Sequence, residues 1–100
     1  MAVVAEIAMY PVGSGSSSMS QMLADSVSVL KKHGLKFQVT PTGTNVEGDM
    51  DTILSAVKEM DEVPFKEGAD RVILMLRLDD RRDKQISLDY EQQSIEEKIA

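Results

Sequence analysis

Glu47 and Thr44 stand three residues apart in the run Thr42-Gly43-Thr44-Asn45-Val46-Glu47-Gly48. An ionised carboxylate accepts a hydrogen bond from an exocyclic amine or pairs with a ring nitrogen, and a threonine hydroxyl donates to one. The same two residues read equally well as an exposed strand charge and a β-branched strand residue. Ser16, Ser17 and Ser18 lie in a Gly/Ser stretch that Gly13 opens, just ahead of a helical pattern. Free N–H groups and the helix dipole at such a point suit an anion or a hydroxyl, and an ordinary cap plus loop is the plainer reading. The stretch is not a P-loop, because no Gly-Lys-Ser/Thr ending follows. Glu6 sits inside an apolar run, where a charge needs a partner: a ligand or a subunit interface. Arg71 can neutralise a phosphate or pair with a carboxylate. His33 stands alone at a helix C-terminus, where a cation is favourable, and reads as structural. Asp79, Asp80 and Asp83 surround Arg81 and Arg82, a pattern of ion pairs rather than of metal ligands.

Little of this adds up to catalysis. There is no cysteine, which removes disulfides, thiolate metal sites, iron–sulfur clusters and a thiol nucleophile. No Ser-His-Asp set assembles around the single His, and no zinc or dinucleotide fingerprint occurs. Glu6 and Glu47 could in principle share acid–base work, but nothing else supports it. No cofactor is implied. A net charge of −6 argues against nucleic acid and against anionic membranes. No apolar run nears the ~20 residues of a membrane span, and no signal peptide is visible, so the cytoplasm is the expected compartment. The 100 residues suit one domain, and 42% hydrophobic content is enough for a core. Seven Met residues are expected to fill that core rather than to line a ligand site.

The elements that must position these residues are readable. Ala2 to Tyr10 predicts a strand apolar on both faces, ended by Pro11. Ser18 and Gln21 have capping-box spacing, and Met19, Met22, Leu23, Val27 and Leu30 form one helical stripe that Gly34 stops. Leu35 to Thr40 is a second strand, and a third begins at Thr44 after a Pro41-Thr42-Gly43 turn. Asp49 caps a second helix with a stripe of Met50, Ile53, Leu54, Val57 and Met60. Pro64 is expected to kink or interrupt it, and Gly68 to end it. Val72 to Leu78 is the most strand-like run. Ser87 to Ala100 predicts a sparse helix with Leu88, Ile95 and Ile99 on one side, too weak to stand alone. It must dock on something, in its own chain or on a partner.

The order β-α-β-β-α-β predicts an α+β ferredoxin-like fold. It has a four-stranded antiparallel sheet of order 4-1-3-2, two helices on one face, and a C-terminal helical segment. In that topology Tyr10, Thr44, Arg71 and the Gly/Ser loop converge at one end of the domain. Helices cover one sheet face only, yet the first and last strands are apolar on both. The uncovered face therefore predicts a homodimer or homotetramer built by sheet packing.

Four segments in register resemble the thiamine-binding protein family. They are Pro11-Val12-Gly13-Ser14 with Ser16 and Ser18; Thr42 to Gly48; Gly68-Ala69-Asp70-Arg71-Val72 with the charged run at 79–83; and Glu96-Glu97-Lys98-Ile99. The resemblance implies a small ferredoxin-like homo-oligomer that binds thiamine or its hydroxymethylpyrimidine moiety without transforming it. Glu47, Thr44, Ser16, Ser18, Gly13, Glu6 and Arg71 are then the candidate ligand contacts. This chain has Gln21-Met22 where the family often has an aromatic followed by Val, so a stack at that point is not available here. The alternative is a regulatory or assembly module whose sheet face binds another protein. A small isomerase or lyase of the same fold is the weakest of the three readings.

Overall fold

Val3, Ala5, Ile7 and Met9 alternate with Val4, Glu6, Ala8 and Tyr10, so one strand offers an apolar row to each side. A computed structural model describes residues 2–13 and 19–99. Its elements run β1 (Val3–Val12), α1 (Met19–Lys32), β2 (Lys36–Thr40), β3 (Gly43–Gly48), α2 (Met50–Lys66), β4 (Arg71–Asp79) and α3 (Leu88–Ile99). The sheet order is β2-β3-β1-β4, with every neighbouring pair antiparallel. This is the expected α+β ferredoxin-like fold with an added C-terminal helix.

The first row of β1 faces α1 and α2. Ile7, Val46, Leu30, Ile53 and Met60 form the centre of the core there, each almost wholly buried. The apolar stripes of the two helices supply that layer, which is why the helices form where they do despite modest intrinsic propensity. Asp49 caps α2 as expected, its carboxylate accepting the Thr52 N–H at 3.2 Å. Gly34 ends α1 with φ +71°, a left-handed turn that brings the Leu35 N–H onto the Leu30 carbonyl at 3.0 Å. The expected Ser18–Gln21 capping box involves a residue outside those described.

Two prolines behave differently from expectation. Pro11 does not end β1; the strand continues through it and pairs Pro11 with Val72 and Val12 with Arg71. The Val12 carbonyl accepts the Asp70 N–H at 3.1 Å, so Val12 directs its backbone groups toward β4. Alternation then turns Pro11 the other way, to the side where β3 has already ended, and its missing N–H costs no ladder bond. Nor does Pro64 interrupt α2, which runs on to Lys66. A helical proline leaves the carbonyl four residues back without its N–H donor. Here that carbonyl belongs to Met60, and the buried Ser26 hydroxyl of α1 donates to it at 3.4 Å. The neighbouring helix therefore satisfies the group that the proline strands.

Ser26→Ala should accordingly destabilise the protein by about 1–3 kcal/mol, the cost of an unsatisfied buried carbonyl. Pro64→Ala restores an N–H donor to Met60, so in that background the same Ser26→Ala change should cost far less. Urea denaturation of the four proteins measures the coupling. Strictly additive effects would show that Ser26 does not serve the Met60 carbonyl.

Candidate functional site

β1 is longer than its neighbour on one side. Its ten residues pair with β3 only as far as Ile7, opposite Thr44, and β3 begins at Gly43. From Met9 onward β1 has β4 beside it but no described strand on the β3 side. A cavity of about 410 Å3 fills this step in the sheet. The 40–44 turn, the start of α1 and the end of β1 enclose it, with Met60 of α2 at its base. Its volume lies within the range of small-molecule sites.

The walls are mainly aliphatic: Ile7, Met9, Met19, Leu23, Val27 and Val39. Polar groups are few. Thr40 is occupied within the turn, its hydroxyl donating to the Gly43 carbonyl at 2.9 Å. Thr44 is different: it is only 5% exposed, lines the cavity, and makes no side-chain hydrogen bond to another described residue. Tyr10 lines the rim and is 45% exposed. Tyr10 and Thr44 thus meet at one end of the domain, as the topology predicts.

Other candidates do not reach this cavity. Glu47 lies three residues further along β3, about 10 Å away, and on the opposite sheet face from Thr44. Its carboxylate accepts the backbone N–H of Leu88 at 3.1 Å, so it caps the N-terminus of α3. Within one chain Glu47 and Thr44 are therefore not brought together. Glu6, also on the open face, stands across from Arg77 and pairs with it at 3.3 Å, which answers its need for a partner. Arg71 is exposed at the start of β4, opposite Val12 and so at the same end of the sheet as Tyr10, but it is not a wall of the cavity. Gly13 has φ +99°, and a Cβ there would come within 2.7 Å of the Asp70 carboxylate, so its role is a close turn. Ser16 and Ser18 lie outside the described residues.

Sequence reasoning missed the methionines. Met22 and Met60 are core residues as expected, but Met9, Met19 and Met60 also line the cavity. Helical spacing marks Met19 and Met60 as apolar-face residues and cannot tell a packed face from a cavity wall. The charged run behaves as expected. Arg81 pairs with Asp83 at 2.6 Å and Arg82 with Asp80 at 3.0 Å, and these hydrogen bonds hold both carboxyls below their ordinary range. Lys36 bonds Asp89 at the start of α3, which raises its ammonium above the usual value. No helix among the described residues is long and apolar enough to cross a membrane.

Glu47→Ala should loosen α3 rather than the sheet. The expected loss is about 1 kcal/mol, typical of a helix cap. Hydrogen exchange should speed up in α3 amides while those of β1 and β3 stay protected. Unchanged α3 protection would remove the capping role.

A model of the family described as thiamine-binding protein matches residues 5–97. The UPF0045 protein of Methanothermobacter thermautotrophicus is 37% identical over 98 residues, covering 97% of this chain and 99% of the relative. The solved structure of hypothetical protein MJ1052 from Methanocaldococcus jannaschii superposes with a TM-score of 0.86 at 36% identity, covering 96% of this chain and 97% of that one. A Thermotoga maritima structure, named for thiamine biosynthesis or salvage, has a TM-score of 0.79 at 22% identity, covering 95% and 99% of the two chains, and shares the fold. With the family model spanning nearly the whole chain and close relatives matching end to end, this chain belongs to the thiamine-binding protein family.

Proposed function

We propose that the chain binds thiamine or its hydroxymethylpyrimidine moiety in the cavity at the β1–β3 step, as a carrier or sensor that leaves the ligand chemically unchanged. The observation that carries this reading is Thr44: a largely buried residue that lines an apolar cavity and whose side chain bonds no other described residue. A ligand atom that bonds this hydroxyl would do so among largely apolar walls, where a hydrogen bond is electrostatically stronger than in water. Met9 supports the same reading. By alternation along β1 its N–H and C=O point to the side that β3 vacates, which suits the donor and acceptor edge of an aminopyrimidine. The aliphatic and methionine walls accept the ring, and sulfur–aromatic contacts add to their affinity. Glu47 has a separate task in this reading, holding α3.

Isothermal titration with thiamine, and separately with hydroxymethylpyrimidine, tests the proposal. Saturable binding with a Kd in the micromolar range or tighter is expected for at least one. Thr44→Val should weaken it by about 1 kcal/mol, roughly fivefold in Kd. No binding of either compound would defeat the reading.

The open sheet face favours a second copy of this chain as partner, packed sheet to sheet. Tyr10, Val12, Ile73 and Met75 form an apolar strip there, with Met75 56% exposed. Met75→Glu should shift sedimentation-equilibrium mass from an oligomer to the monomer. A wild-type chain that sediments as a monomer at tens of micromolar would rule this contact out.

A further inference from the structure

Helix α3 is held at its first turn. Leu88 is buried, Glu47 accepts its N–H, and Lys36 bonds Asp89. Beyond that turn Ile95 and Ile99 are 59% and 78% exposed. Residues 88, 95 and 99 are spaced seven and four apart, so they share one face of the helix. The radius of gyration is 14.6 Å, against about 13 Å for a compact domain of this length, in keeping with a helix that stands off the body. Twelve residues with so few apolar side chains are marginal as a helix in water without a partner surface.

A fitting surface exists elsewhere on the molecule. A groove of about 490 Å3 runs between α1 and the edge strand β2, walled by Leu23, Ala24, Val27, Phe37 and Val39. Lys31 is the charged side chain along it. Charge favours α3 as the occupant: it carries Asp89, Glu91, Glu96 and Glu97 against Lys98 alone, a net of −3 from four acids and one base. The chain's own α3 cannot lie there while anchored. Its anchors Glu47 and Lys36 are on the open face of the sheet, whereas Val27 and Phe37 pack with the core on the helix face. The sheet stands between the two.

We propose that α3 of a second copy seats in the α1–β2 groove, with Ile95 and Ile99 on its apolar walls and its acidic flank toward Lys31. Leu23, Val27 and Val39 line both this groove and the cavity, so the incoming helix backs the outer wall of that cavity. The contact itself does not depend on what the cavity binds, nor on sheet-to-sheet packing.

The absence of native cysteine makes the test direct. The double variant A24C/I99C, mildly oxidised and run on a non-reducing gel, should give dimer-sized and larger products that collapse with reductant. The variant E62C/I99C, with its thiol on an exposed position of α2, should stay monomeric under the same conditions. Adding Ile95→Asp to A24C/I99C should abolish the cross-link. No cross-link, a cross-link confined to monomer size, or equal cross-linking of the Glu62 variant would each overturn the proposal.

Discussion

The register of β1 against its two neighbours is the constraint on which the rest depends. Ile7 pairs with Thr44 on one side and with Leu76 on the other. That single alignment sends Val3, Ala5, Ile7 and Met9 into the helix layer, and a one-residue slip would exchange the entire core row for Glu6 and its companions. It also fixes where β3 stops relative to β1. The cavity thus follows from unequal strand lengths in a fixed register, with the 40–44 turn and the first turns of α1 around it.

Strand order and the meeting of Tyr10 with Thr44 were legible because hydrophobic period and connection length constrain them strongly. What escaped was decided by partners distant in sequence. Nothing near Glu47 announces that its carboxylate will meet a backbone N–H 41 positions later. Pro11 reads as a strand end until it is known that the strand on its N–H side has already stopped. The cavity wall was hidden for a similar reason, since Leu23 and Val39 have the same periodicity whether the space beside them is filled or open.

The two sheet faces are chemically unlike. The helix face is a continuous core. The open face is divided along β1: toward Val4 and Glu6 it carries the Glu6–Arg77 pair and the Lys36–Asp89 and Glu47–Leu88 attachments of α3, and toward Tyr10 it becomes an apolar strip. One end is therefore already committed to the chain's own C-terminal helix, while the other is an exposed apolar strip. Such a division would hold any sheet-to-sheet partner to an offset arrangement, because full face-to-face overlap would displace α3 or bury paired charges.

The Ser26–Met60–Pro64 arrangement has a consequence for how this sequence can change over generations. A proline arriving at 64 in an ancestor with a non-hydroxyl residue at 26 would strand a buried carbonyl, whereas a serine arriving first would simply hold a carbonyl that already had a donor. The accessible path is thus ordered, serine before proline, and the proline then locks the serine in. Descendants that lose the proline are released to replace the serine by alanine. The two sites, on different helices and 38 positions apart in the chain, thus constrain each other's order of change in sequence space, and a census of relatives should find the proline very seldom without a small hydroxyl residue facing it.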